Sequence, residues 1–255
     1  RYYWQGGKPI MKALSLEFYK FRRRRIFLII TIFLLIEILW MGIVTGKSVS
    51  RNPDYAIWEL PIITLCSMNG LFLPILTAIC VSRIADMEHK GNTWKMLLSL
   101  SVKPAELYRA KYISASIIML WVCVLQMLSI IIVGILNDFK QPIPLHLLSQ
   151  FLIGTALTNM VIIGLQQWIS MAIKNQAFAL TLGMIGGFIG MTADLLPQQV
   201  GRLFVWSYYA KLSPIAQSFT NERMNFMVRD INSLLPMMGV LIVLVVGIYL
   251  AGSIH

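Results

Sequence analysis

The chain has 255 residues, a formal net charge of +11, a mean hydropathy of +0.71, 57% hydrophobic side chains and only 13% charged ones. A water-soluble domain carries about twice that charged share, so the composition excludes one and calls for a surface that faces lipid. The three cysteines, Cys66, Cys80 and Cys123, lie in apolar runs and form no C-x-x-C pair, which excludes a disulfide scaffold and leaves them as small packing residues. His89, His146 and His255 are far apart and show no metal-ligand spacing, so no metal site is expected.

Residues 1–10 (RYYWQGGKPI) differ in character from the rest of the chain, and Met11-Lys12 reads as a start. They are expected to be a tag remnant or a disordered extension, outside a single transmembrane domain at 11–255. In MKALSLEFYKFRRRR, Leu14, Phe18 and Phe21 recur at helical spacing, with Lys12, Glu17, Lys20 and the arginine run on other faces. That pattern predicts an amphipathic helix over 11–25 lying in the inner membrane interface. A polybasic stop before the first span is the plainer reading.

Crossing a hydrocarbon core of about 30 Å takes about 20 apolar residues in a helix. Continuous apolar runs, not the alternation of barrel strands, predict six spans at 26–45, 60–82, 112–136, 147–172, 176–195 and 235–253. With the N-terminus inside, basic residues concentrate in the inner segments, from Arg1 to Arg25, Arg83 to Lys111 and at Lys174, over the outer ones such as Lys47, Arg51 and Arg202. This bias places both termini in the cytoplasm and assigns the positive charge to orientation and anionic headgroups, not to nucleic acid.

Glu37 stands mid-span in the first run. A central carboxylate costs about 3 kcal/mol on insertion scales, against roughly −4 to −8 kcal/mol from the Leu, Ile, Phe and Val residues around it, so the span inserts and the acid faces inward. Glu37 and Asn69 are candidates for a substrate pathway. The structural alternative bonds Glu37 to an amide such as Asn69, Gln126 or Asn159. The other span amides, Gln150, Gln166 and Gln167 among them, need bind nothing but neighbouring helices.

Pro61 and Pro74 each remove a backbone donor from the second span. The loop 83–111 after it carries both signs of charge and is broken by Gly91 and Pro104, which predicts a short cytoplasmic helical hairpin able to dock on a soluble partner. In the fifth span, Gly183/Gly187 and Gly186/Gly190 form two G-x-x-x-G pairs, a face for close helix packing on a partner in this chain or another. The long segment 196–234, aromatic-rich and broken at Ser213-Pro214, predicts outer-face half-helices dipping into the bilayer, with Trp206, Tyr208 and Tyr209 at the interface.

No ATP-binding loop is present. Gly42–Ser48 (GIVTGKS) is one residue short and ends a transmembrane helix instead of following a strand. The zincin signature, the G-x-S-x-G elbow and a pair of mid-span acids are absent too, which argues against a membrane-embedded enzyme.

The start LEFYKFRRRR, Trp58 with Pro61 and Pro74, and the loop RIADMEHKGNTWKMLLS together resemble the permease subunits of ABC-2 type exporters. The nearest group is that of bacterial lantibiotic self-immunity and bacitracin resistance. The resemblance runs from Met11 over about the whole chain. It implies an all-α, type V exporter-like transmembrane domain in the bacterial plasma membrane, with 11–25 as its N-terminal elbow helix. It also implies that the 83–111 loop couples the chain to a separate ATP-binding subunit, with Arg83, Asp86, Glu88, Gly91, Thr93 and Trp94 at the motif positions. Two permease subunits, alike or related, would work with two ATPase subunits holding ATP and Mg; no cofactor is expected in this chain. The implied cargo is an amphipathic antimicrobial peptide, with another peptide, a drug or sodium as alternatives within the class. A membrane enzyme and a passive immunity receptor are the alternatives outside it.

Overall fold

A computed structural model describes residues 9–23, 25–90, 104–173, 175–220 and 223–254. Helix α1 (Pro9–Arg23) starts two residues before the expected boundary, because Pro9 suits the first helical position, where its missing N–H costs nothing. Leu14 and Phe18 are half-buried and Phe21 is buried, as their spacing predicts. Glu17, expected on a different face from these, is also buried, at 1% exposed. Arg25 then takes a left-handed conformation (φ 55°) and its N–H donates to the Arg22 carbonyl at 3.2 Å, turning the chain into the first span.

The long helices are α2 (Ile26–Arg51), α3 (Glu59–Lys90), α4 (Pro104–Leu136), α5 (Leu145–Ala172) and α9 (Ile231–Ile254). Among the described residues these five are long and apolar enough to cross a membrane. The one remaining expected span, the fifth at 176–195, is the shorter α6 (Gln176–Met191), roughly 24 Å long at 1.5 Å per residue. Asn175 caps its start by accepting from the Ala177 N–H (3.0 Å). Thr192 closes it: its N–H and its hydroxyl both donate to the Phe188 carbonyl (3.0 and 2.8 Å). The expected tail of that span is a 3-10 turn, Ala193–Leu195.

Helices α3 and α5 form the centre, with α2 and α6 against α3, α4 bridging α2, α3 and α5, and α9 against α5. Only 11% of the apolar window of α9 is buried, against 67% for α5, so α9 is peripheral and α5 central. Helix α1 packs along the start of α4. At the opposite end, Trp58 fills the space that Gly134 leaves, meets Phe139 edge-on (5.2 Å, 82°) and donates from Nε1 to the Gln141 carbonyl (3.1 Å). The left-handed Asp138 (φ 54°) ends α4 there.

The segment 196–234 departs from the expected half-helices. Two four-residue helices, α7 (Gln198–Gly201) and α8 (Tyr208–Lys211), give way to an antiparallel hairpin of β1 (Ile215–Thr220) and β2 (Arg223–Val228), which pairs Ile215 with Val228. Pro214 cannot donate to a helical turn, and Ile215, Phe219, Phe226 and Val228 favour strand. Arg229 secures the junction: its N–H donates to the Pro214 carbonyl (2.8 Å), and its guanidinium donates to the Ala210 and Lys211 carbonyls (3.1 and 2.6 Å). Tyr208 and Tyr209 are buried in the helix bundle, not placed at its rim.

Candidate functional site

Three constellations bear on function. The first is a polar cluster enclosed between α2, α3 and α4. Residues Ile26, Ile30, Leu34, Glu37, Met41 and Thr45 form the buried stripe of α2, a three-to-four residue spacing that brings Glu37 inward. Gln126 Nε2 donates to Glu37 Oε2 at 2.8 Å and to Asn69 Oδ1 at 2.7 Å. All three side chains are 1% exposed or less. Glu37 Oε1, Gln126 Oε1 and Asn69 Nδ2 have no partner in this arrangement, so the network is only half satisfied.

One turn away on α4, Cys123 begins a second branch. Asn159 of α5 donates to Cys123 Sγ at 3.3 Å and accepts from the Tyr209 hydroxyl at 2.5 Å. Of the amides weighed as partners of Glu37, Gln126 bonds it directly, Asn69 joins through Gln126, and Asn159 serves the neighbouring branch. Gln126, not Asn69, is the node, and only its apolar surroundings in the sequence marked it.

The second constellation is the pair of helix ends that project to the α1 side. At 32 and 33 residues, α3 and α4 are roughly 48 and 50 Å long, well beyond a hydrocarbon core of about 30 Å. The described parts of the expected loop 83–111 are therefore helix: Arg83, Asp86 and Glu88 continue α3, and α4 begins at Pro104, a favourable first position. Arg83 is exposed beside buried Ser82, Ile84 and Ala85. Gly91, Thr93 and Trp94 lie outside the described residues.

Sequence reasoning missed the brace beside these ends. Lys111 of α4, 2% exposed, donates to Glu17 Oε1 of α1 at 3.3 Å, and Lys20 donates to the same oxygen at 2.7 Å. The available signal was the spacing of Glu17 and Phe21, four apart and so on one face. Below it, Gln167 Nε2 donates to the Tyr108 carbonyl at 2.8 Å.

The third is the glycine face of α6, whose partner is α3 of the same chain. A Cβ on Gly183 would strike Ala78, one on Gly187 would lie 2.8 Å from the Leu71 carbonyl oxygen, and one on Gly190 would strike the Gly70 carbonyl. Pro74 explains that last contact. Having no N–H, it leaves the Gly70 carbonyl without its helical donor, and that carbonyl faces Gly190. Gly186 instead makes room for the Trp206 ring. Gln166, with its amide turned to suit both partners, donates to the Ala179 carbonyl and accepts from the Gly183 N–H (3.2 Å each).

In comparison with known families, the model described as "ABC-2 family transporter protein" matches residues 13–190, which run from α1 into the end of α6. No curated protein matches the chain.

Proposed function

The chain belongs to the ABC-2 family of transporter proteins, and from that membership we propose that it is the permease subunit of a bacterial exporter that removes an antimicrobial peptide, lantibiotic or bacitracin-like, from the membrane. Membership makes it a multi-pass transporter component without an ATPase site of its own, working with an ATPase. The match over residues 13–190 supports the permease part of this reading, because it includes both projecting helix ends, and the peptide cargo rests on the resemblance of the sequence alone.

In this reading two ATPase subunits close on ATP and Mg and press on the ends of α3 and α4 and the chain between them. Arg83, Asp86, Glu88, Gly91, Thr93 and Trp94 form the contact. The Glu17–Lys111 pair makes α1 follow α4. A push on α3 carries α6 with it, since their backbones touch at Gly70 and Gly190. The bundle then shifts between arrangements open to opposite sides, and differential binding of ATP and cargo biases that equilibrium. The half-satisfied Glu37–Gln126–Asn69 network supports a role for Glu37 and Asn69 in the pathway, because a helix shift can re-partner its three orphan atoms. A second permease subunit completes the pathway, and both termini lie in the cytoplasm.

Copurification tests the coupling element. Asp86→Lys with Glu88→Lys is expected to release the ATPase from detergent-solubilised complexes while the permease still reaches the membrane; full retention of the ATPase would remove these residues from the contact. Export separates the functions. Cells carrying the permease and an intact ATPase are expected to survive a lantibiotic that kills cells whose ATPase cannot hydrolyse ATP. Equal survival would make the chain a passive receptor, and peptide release from vesicles holding this chain alone would sink the exporter reading. Cells protected against a drug or sodium but not peptide would redirect it to another cargo of the same class.

A further inference from the structure

A groove of about 350 Å³ runs between α2 and α3 at the end of the bundle that bears the hairpin. Trp40 and Tyr55 supply its aromatic walls; Ser48, Thr64, Ser67 and the Gln217 amide supply polar atoms; no charged side chain among the described residues lines it. It opens sideways. Trp40 is 58% exposed and stands between Leu39 and Ile43, which are 62% and 51% exposed on the lipid-facing side of α2. Ser67 lies eight residues into α3 from Glu59, roughly 12 Å along the helix, and so within the hydrocarbon layer if Glu59 marks its edge. At its deep end Met68 lines the groove, and the next residue, Asn69, belongs to the buried Glu37 cluster.

The polar lining is the informative part. Thr64 spends its hydroxyl proton on the Leu60 carbonyl (2.7 Å). Ser48, Ser67 and Gln217 make no side-chain hydrogen bond among the described residues. Ser67 is the one of the three inside the span 60–82, where acyl chains cannot satisfy it, while Ser48 and Gln217 continue the polar line to the edge of the membrane. A peptide can satisfy them, because each of its residues brings an N–H and a C=O together with apolar side chains.

We propose that the α2–α3 groove is a lateral binding site for the uncharged, apolar segment of a membrane-dissolved peptide. The peptide's main-chain amides meet Ser48, Ser67 and Gln217, and its side chains lie between Trp40 and Tyr55. Cargo thereby reaches the permease from within the bilayer, beside the buried polar cluster. This rests on the exporter reading and adds the place where cargo is taken up.

Thiol protection tests it, because Cys66, Cys80 and Cys123 are all buried and none is in a disulfide. The permease with its ATPase is reconstituted in vesicles of phosphatidylethanolamine and phosphatidylglycerol, carrying either Ser67→Cys or, as a lipid-facing control, Val243→Cys on α9, where the native side chain is 71% exposed. N-ethylmaleimide labelling is timed with nisin, with bacitracin, and with stearate. One of the peptides is expected to slow labelling of Ser67→Cys about fivefold at about four times its Kd while the control stays unchanged. Equal slowing of both sites, no slowing, protection by stearate alone, or a Ser67→Cys thiol that never reacts because a second copy covers it would each overturn the proposal. ATP-driven export measured in the same vesicles separates the two readings. Export without protection removes the groove and keeps the exporter; protection without export does the reverse. As a second arm, Thr64→Val with Ser67→Leu is expected to raise the KM for peptide export about tenfold, the loss of about 1.4 kcal/mol of binding, with ATPase copurification unchanged. An unaltered KM counts against the groove.

Discussion

Glu37 and Lys111 are charged-type residues taken out of water, and each is held by partners that set what happens when it is changed. Gln126 uses both amide hydrogens, one on Glu37 and one on Asn69. Gln126→Leu therefore strands two buried groups at once and is expected to cost about 1–3 kcal/mol for each, read as a lower midpoint of thermal unfolding in detergent. Glu37→Gln keeps an oxygen that can accept from Gln126, so expression and unfolding midpoint are expected to hold while transport falls; undiminished transport would take Glu37 out of the pathway. At the Glu17–Lys111 pair, Lys111→Met leaves the buried carboxylate with only the more exposed Lys20 on it, and is expected to cost about 1–3 kcal/mol, less than a fully stranded charge would. Adding Glu17→Gln is expected to recover much of that loss, since the buried charge is then gone. A double variant no more stable than Lys111→Met would show that the pair is not coupled.

The elements differ in how tightly their backbones meet, and the glycines report it. Gly187 and Gly190 touch the backbone of α3, whereas Gly239 and Gly247 of α9 have nothing within 4 Å of a Cβ. Gly190→Val is expected to wedge α6 from α3 and cost about 1–3 kcal/mol, with loss of monodisperse protein in size-exclusion chromatography. Gly247→Ala is expected to be neutral or to stabilise by up to about 1 kcal/mol, because Ala is the better helix former and meets no neighbour. The G-x-x-x-G spacing was legible in the sequence; its partner was not. Small residues state only that something approaches closely, and the choice of α3 depends on where Gly70, Leu71 and the Pro74-freed carbonyl stand in space. The hairpin at 215–228 was illegible for a related reason. Its short apolar runs suit strand and half-helix alike, and the Arg229 bonds that secure its base reach back across the segment.

For the whole molecule, orientation is the property that every other reading needs. With both termini inside, the exposed Asn225 of the hairpin faces out and the exposed Arg109 near the start of α4 faces in. A thiol from Asn225→Cys is expected to react with an impermeant reagent on intact cells, and one from Arg109→Cys only after permeabilisation; the opposite pattern would invert the protein and place the projecting helix ends beyond reach of any cytoplasmic ATPase. By itself the sequence determined that this chain lives in a bilayer, roughly where its long helices run, and that Glu37 turns inward. Those properties come from hydropathy and helical period, which are local sums over neighbouring residues. Only the tertiary structure decided that Glu37 meets Gln126, 89 positions away, that Glu17 reaches Lys111 across 94, and that α6 rests on α3. Helices in lipid have little hydrophobic drive toward one another, so a few polar and small side chains select the pairing, and that selection is made through space.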